Sequence, residues 1–324
     1  MRLVLLRLSA LGDVLRVLPA WKNLLDAFPS ARIQAVVEDR HSFLLKPFPK
    51  IEPVIARRAR LSNPFSAIAE LRRVGGLIKG ADVSLDFHGI LKSALIPYFA
   101  GIKERWGDGH AKEGAGWFQN GGAAFNKQSR YAQALSLSER FGLKHAMQNL
   151  GRFHPALKNA PLPDNDTWPV SGGRPRILLV PGSSQAGAYK RWPHDKWIQL
   201  AGAIKHSADL RWALGPAEAS WRQWLPQKSG VEALPAMPFW DMAAVIRSVD
   251  RVIVGDTGLL HLSVILGVQV TALMGPSDPV ISGIPPGSGV IVRSGVECSP
   301  CRERGCRRRS CMEQLHIDDV LAAL

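Results

Sequence analysis

Short apolar runs alternate with helical patterns along the chain, and the alternation is interrupted once. Residues 3–6, 33–37 and 83–87 read as strands, and residues 14–28, 67–78 and 129–141 as helices. The composition then changes at Pro161-Leu162-Pro163-Asp164-Asn165-Asp166 and Ser171-Gly172-Gly173, which are turn-rich and poor in core residues. Beyond them the alternation restarts. Residues 177–180, 210–214, 252–254 and 268–274 read as strands, and 194–205, 242–249 and 259–266 as helices. Strand–helix alternation predicts parallel sheets wrapped by helices. The fold class expected is therefore α/β, with two Rossmann-like parallel-sheet domains facing a cleft. The boundaries expected are 1–160, a linker over 161–175, and 176–324. A length of 324 residues suits two such domains. Ligands of such sheets bind outside the carboxyl ends of the strands.

The formal charge of +14 favours anionic partners: nucleic acid, anionic lipid or a phosphorylated substrate. A solvated basic surface is the competing reading. The opening apolar run is broken by Arg7, Asp13 and Arg16 and is followed by no small-residue cleavage site, so it reads as a buried strand rather than a signal peptide. Residues 258–275 carry His261, Ser263, Gln269 and Thr271, which suits a helix and a buried strand better than a membrane span. A cytoplasmic protein is expected. All four cysteines, Cys298, Cys301, Cys306 and Cys311, fall in one short segment with arginines at 302, 304, 307, 308 and 309. Tetrahedral thiolate ligation of structural Zn or Fe, reduced free thiols and disulfides are all open readings. The arginines would favour thiolates.

Three strand-to-helix junctions could carry chemistry. Gly12-Asp13 follows the first strand; Asp13 is a helix cap, or a carboxylate placed to act as a general base. Pro181-Gly182-Ser183-Ser184 and Lys190-Arg191-Trp192-Pro193 form a plain turn into a helix, or a phosphate cradle with a cation beside it. Asp256-Thr257-Gly258 caps an apolar helix, or presents N–H groups and a hydroxyl to a diphosphate. His261, one turn further on, is a packed core residue or faces the same ligand.

Taken in order, these motifs resemble glycosyltransferase family 9, the ADP-heptose:lipopolysaccharide heptosyltransferases, and heptosyltransferase I-type members in particular. The resemblance is carried by Arg7-Leu8-Ser9-Ala10-Leu11-Gly12-Asp13-Val14 with Pro19-Ala20, and by Asp86-Phe87-His88-Gly89-Ile90-Leu91-Lys92-Ser93. It continues through the Pro181 and Lys190 segments, Gly215-Pro216-Ala217-Glu218, Asp256-Thr257-Gly258 with His261-Leu262, and Gly275-Pro276-Ser277-Asp278-Pro279. It implies a GT-B fold, with the acceptor on the N-terminal domain and the nucleotide sugar on the C-terminal one. It implies inverting transfer of heptose from ADP-heptose to the lipopolysaccharide inner core, either Kdo-lipid A or heptosyl-Kdo-lipid A. Asp13 is then the general base. The donor contacts implied are Ser183, Ser184, Lys190, Glu218, Asp256, Thr257, Gly258 and His261. The acceptor side falls on Ser9, Gly12, Arg16, Lys92 and Arg105. Catalysis needs no cofactor on this reading, and the basic surface is expected to hold the enzyme peripherally at the anionic inner-membrane surface.

Arg16-Val17-Leu18 departs from the small polar residues usual in the family before Pro19. A guanidinium one turn from Asp13 binds an acceptor anion or lowers the Asp13 pKa. Two other functions compete: heptosylation of a protein acceptor, and a zinc-containing nucleic-acid-binding protein built on the Cys–Arg segment. The family resemblance gives no reason to expect nucleic acid as a partner.

Overall fold

The computed structural model describes the chain except for residues 58–63, 108, 110, 123–128, 144–155, 165–166, 169–171 and 302. It separates into two compact units, Met1–Leu150 and Gly151–Leu324.

The first unit is built on strands β1 (Arg2–Leu6), β2 (Arg32–Glu38), β3 (Ile51–Ala56), β4 (Val83–Asp86), β5 (Glu104–Gly107) and β6 (Gly121–Gly122). Its helices are α1 (Leu11–Ala27), α2 (Pro64–Leu77), α3 (Leu91–Phe99) and α4 (Arg130–Ser136). The six strands run parallel in the order β3-β2-β1-β4-β5-β6. Leu3, Val4, Leu5 and Leu6 are all fully buried, as expected of a central parallel strand covered on both faces.

Several of these elements are hard to read in the sequence. Strand β3 holds Pro53, which can sit there because β3 is the sheet edge. Helix α3 has Pro97 inside it, and β5 has no apolar run. The helix expected over 129–141 begins as α4, capped by the Ser129 hydroxyl, then tightens into a 3₁₀ segment at Leu137–Phe141.

The second unit contains β7 (Arg176–Val180), α5 (His194–Ile204), β8 (Asp209–Trp212), α6 (Leu225–Ser229), α7 (Phe239–Arg247), β9 (Arg251–Gly255), α8 (Gly258–Leu266), β10 (Gln269–Leu273) and β11 (Gly289–Val292). The strands again run parallel, in the order β11-β10-β9-β7-β8. Strand β11 opens with Gly289 at φ +143, where a Cβ would lie 1.9 Å from the Val270 carbonyl oxygen. Only glycine lets the chain come this close to β10.

One side of this sheet is packed with indoles. Trp192 and Trp197 meet edge-on at 5.4 Å, Trp197 and Trp212 at 6.1 Å, and Trp221 lies in the same core. The C-terminal Met312, Leu315 and Val320 close that core, and the Trp192 Nε1–H donates to the Leu315 carbonyl at 3.0 Å.

Part of the expected linker belongs to this unit. Trp168 is 2% exposed, donates from Nε1 to Asp209 Oδ2 at 2.7 Å, and lies under the guanidiniums of Arg176 and Arg211. Leu157 is fully buried, and its N–H donates to the Ile265 carbonyl. The expected linker residues 165–166 and 169–171 lie outside the described residues. Among the described residues, no helix is long and apolar enough to cross a membrane.

In the first sheet the strand order reverses between β1 and β4, and in the second between β7 and β9. Such reversals splay the connecting loops apart and leave a crevice at the carboxyl ends of the two strands. Asp13 follows β1, and Asp86-Phe87-His88 ends β4. Ser183 and Lys190 follow β7, and Asp256-Thr257-Gly258 follows β9.

Candidate active site

Asp13 stands in the first turn of α1, beneath the extended Ala10 that opens the helix. Its two oxygens are divided between two arginines. Arg7 Nη2 approaches Oδ2 at 2.8 Å, and Arg16 Nη2 approaches Oδ1 at 2.8 Å. Arg7 is held in turn by the Phe87 carbonyl at 2.5 Å, and Arg16 by the Gly12 carbonyl at 3.3 Å. Arg130, on α4, completes the polar lining of the small open cleft that Asp13 faces. Burial pushes the Asp13 carboxyl up. Arg7, Arg16 and Arg130, in that order of weight, outweigh it and hold the group well below the usual carboxylate range. The cleft thus carries three guanidiniums against one carboxylate, an arrangement suited to a second anion.

His88 reaches the same neighbourhood. Burial, then Arg7, Lys92 and Arg130, depress its pKa to about 3 against the opposing pull of Asp13. These causes favour its neutral form. The loop that carries it is fixed by the buried Asp86. One Asp86 oxygen accepts from the His88 and Gly89 N–H groups, the other from Ser93 Oγ and Gln119 Nε2.

The expected acceptor residues are thus not all together. Ser9, Gly12 and Arg16 lie on the segment around Asp13, and Lys92 opens α3 close enough to act on His88. Arg105 is not in the cleft lining. Its Nε donates to the Phe118 carbonyl at 2.6 Å, its Nη1 to the Ile102 carbonyl at 2.6 Å, and its guanidinium lies over Tyr98. It ties β5 to the segment after it. Arg130 has no sequence signal, because its approach to Asp13 depends on α4 packing beside α1.

The second cluster gathers along the ends of β8, β7, β9 and β10. Lys190 Nζ meets Asp256 Oδ2 at 2.6 Å, and Ser277 Oγ donates to the same oxygen. Burial raises the Asp256 pKa, but Lys190 and then His261 more than reverse this, so the carboxyl stays ionised. Thr257 precedes the first turn of α8, and its hydroxyl is buried with no hydrogen-bond partner. With the N–H groups that begin at Gly258, it forms a helix terminus whose donors can receive an anion. Ser183 and Ser184 follow β7, the strand paired with β9. His261 is 1% exposed, within α8.

Glu218, expected at the nucleoside, is 3% exposed and already fully engaged. It accepts from Ser183 N–H at 3.2 Å, Gly215 N–H at 3.2 Å and Arg191 Nη2 at 2.6 Å. Arg191 also donates to the Ser183 carbonyl at 2.6 Å. A Cβ on Gly182 would come within 2.3 Å of the Glu218 carboxyl carbon, so this glycine is needed for the approach. Glu218 and Arg191 together shape the Ser183 loop, a role that sequence spacing did not suggest for Arg191.

Of the three readings open for the cysteines, the structure shows four free thiols. Cys298 and Cys301 are exposed, Cys306 is half-buried and Cys311 is buried. Among the described residues, no three His, Cys, Asp or Glu side chains are grouped to hold a metal ion. Cys311 is drawn into the core beside Met312, facing Gly275, while Cys298 and Cys301 stay at the surface. Burial, and then the other three cysteines, push its thiol pKa up. Arg302, within this segment, lies outside the described residues.

The profile of glycosyltransferase family 9 (heptosyltransferase) matches residues 72–312. The chain belongs to glycosyltransferase family 9. This glycosyltransferase is 26% identical to lipopolysaccharide heptosyltransferase 1 of Pseudomonas aeruginosa over 340 aligned positions, covering 99% of this chain and 91% of that protein. It superposes on the family 9 glycosyltransferase of Veillonella parvula with a TM-score of 0.78 at 17% identity, covering 99% and 95% of the two chains. It also superposes on Escherichia coli heptosyltransferase WaaC with ADP-2-deoxy-2-fluoro heptose, with a TM-score of 0.74 at 21% identity and coverage of 99% and 98%.

Proposed function

We propose that this family 9 enzyme transfers heptose, with inversion, from ADP-heptose to the anionic inner core of lipopolysaccharide, Kdo-lipid A or heptosyl-Kdo-lipid A. The observation that carries the reading is a carboxylate flanked by three guanidiniums at the strand-order reversal of the first unit. In the GT-B arrangement that belongs to this proposal, the first unit holds the acceptor and the second the donor.

The two arginines on Asp13 explain how it is kept ionised, but they also make it a weak base. An anionic acceptor relieves this. Its carboxylate or phosphate shares Arg16 and Arg130, which loosens their hold on Asp13 as the acceptor hydroxyl arrives. Asp13 then takes the hydroxyl proton while the oxygen attacks the anomeric carbon and ADP leaves. Negative charge growing on the diphosphate meets Lys190, the Thr257 hydroxyl and the N–H groups that open α8. In the resting protein Asp256 occupies Lys190. The donor's diphosphate competes for it, leaving Ser277 and His261 to hold the carboxylate.

Two measurements test the reading. Calorimetric titration is expected to give binding of ADP-heptose in clear preference to UDP- and GDP-hexoses; equal binding of all three would discard the donor assignment. Arg16→Gln removes one of the cations that depress the Asp13 pKa. Because the base must be deprotonated, the acidic limb of kcat/KM against pH is expected to move upward, toward the ordinary carboxylate range, with KM for the anionic acceptor raised. An unmoved acidic limb would count against Asp13 as the titrating base.

A further inference from the structure

One face of the first unit leaves large apolar side chains in solvent. Trp117 is 89% exposed, Leu77 51%, Tyr98 48% and Phe99 43%. They belong to one neighbourhood. Tyr98 meets Phe118 edge-on at 5.1 Å and Phe99 at 5.8 Å. The end of α2 that carries Leu77 lies against the end of α3, since a Cβ on Gly75 would sit 3.3 Å from both the Ile96 carbonyl oxygen and the Ala100 nitrogen. Grouped exposed apolar side chains of this kind mark interaction surfaces.

The surroundings of the patch select the partner. The Arg105 guanidinium lies 5.6 Å from the Tyr98 ring centre, and Lys79, Lys103 and Lys112 are exposed on the adjoining segments. Glu113 is exposed among them, while Glu104 is paired with Arg140. Tryptophan, tyrosine and phenylalanine fringed by lysine and arginine suit the boundary between an anionic headgroup layer and its acyl chains. A protein interface of this kind would be expected to have lysine depleted rather than concentrated around it.

The patch is also fixed relative to the Asp13 cleft. The segment bearing Trp117 is pinned at one end by the Lys112 N–H to the Gly89 carbonyl at 2.7 Å, and at the other by Gln119 Nε2 to Asp86 Oδ2. Between those two anchors in sequence lies Phe87, whose carbonyl holds Arg7 on Asp13. We propose that Leu77, Tyr98, Phe99, Trp117 and Phe118 form a membrane-docking surface that enters the interface of an anionic phospholipid bilayer and brings the Asp13 cleft to lipid-linked acceptor. The lipid-linked acceptor rests on the function proposed above; the docking surface itself does not.

The test is flotation of the full chain with vesicles of phosphatidylcholine alone or of phosphatidylcholine with phosphatidylglycerol. The protein is expected to float with the anionic vesicles, less with the neutral ones, and less as salt is raised. Trp117→Ser and Tyr98→Ser are each expected to weaken flotation roughly tenfold, since each withdraws a large apolar ring from the interface. Melting temperature is measured alongside, and Trp117 is exposed enough that its replacement should leave it unchanged. Equal flotation of the wild type and both variants would overturn the proposal, as would no flotation at all. Self-association abolished by Trp117→Ser, with no flotation, would also overturn it and assign the face to a second copy of the chain. Transfer to a deacylated, water-soluble acceptor separates the two readings. Activity without vesicle binding sinks only the docking surface, and vesicle binding without activity sinks only the acceptor assignment.

Discussion

Asp13→Asn is expected to lower kcat by roughly a thousandfold, the scale on which a positioned general base acts. Asparagine keeps the size of the side chain but cannot take a proton from the acceptor hydroxyl. It also removes the negative charge between Arg7 and Arg16, which lie 2.8 Å from the two carboxylate oxygens. The cleft becomes more cationic, so KM for an anionic acceptor is expected not to rise. That split distinguishes a base from a residue that merely shapes the cleft, whose loss would weaken binding and turnover together. Activity within tenfold of wild type would remove Asp13 from the chemistry. Arg7 and Arg16 are nearly buried and would be left without their carboxylate. A melting curve must therefore show that the variant is folded before its kinetics are read.

Lys190→Met is expected to be costly twice over. On the function proposed above, affinity for the ADP sugar should fall at least tenfold, because the cation assigned to the diphosphate is gone. Stability should fall by about 3 kcal/mol, since Asp256 is nine-tenths buried and would keep only Ser277 and His261 as partners. The pH dependence has a definite sign. In the wild type the Asp256 pKa is depressed on folding, so its contribution to stability is present above the unfolded carboxylate pKa and is lost as pH falls through the folded value. Without Lys190, burial acts on Asp256 with less opposition. The stability gap between the two proteins should be full at neutral pH and shrink on acidification, when the lone carboxyl takes a proton. Denaturant titrations at pH 7 and pH 4 check this; a gap independent of pH would place the loss in packing rather than charge.

Much of the frame was legible in the sequence because parallel strands are buried on both faces and read as unbroken apolar runs. β1 and β7 announce themselves in this way, and the junctions that follow them hold Asp13 and Ser183. Edge strands carry no such run, which is why Pro53 hid β3 and why β11, opening on the glycine that crowds Val270, was missed. Site residues divide along a similar line. Asp13 and Thr257 sit just past strand ends, and Lys190 in the short connection after β7, where position is set by local order along the chain. Arg130 comes from α4, which follows all six strands of the unit, and only packing of α4 on α1 gives it a place. Charge type was legible at Glu218 and Arg105, but occupancy was not. Whether a charged group is open to a ligand depends on which donors and acceptors have already claimed it, and spacing alone does not show that.

The indole core of the second unit gives the protein an optical property. Arg191, the arginine that shapes the Ser183 loop, lies 5.0 Å from the centre of the Trp221 ring. Trp221 in turn meets the His194 ring at 4.2 Å and the Trp224 ring at 6.4 Å. Indole emission responds to nearby charge and to energy transfer among neighbouring rings. Any ligand that draws Arg191 away from Glu218 is therefore expected to alter the field on a chain of neighbouring indoles, so that occupancy of the Ser183 loop can be followed without a label.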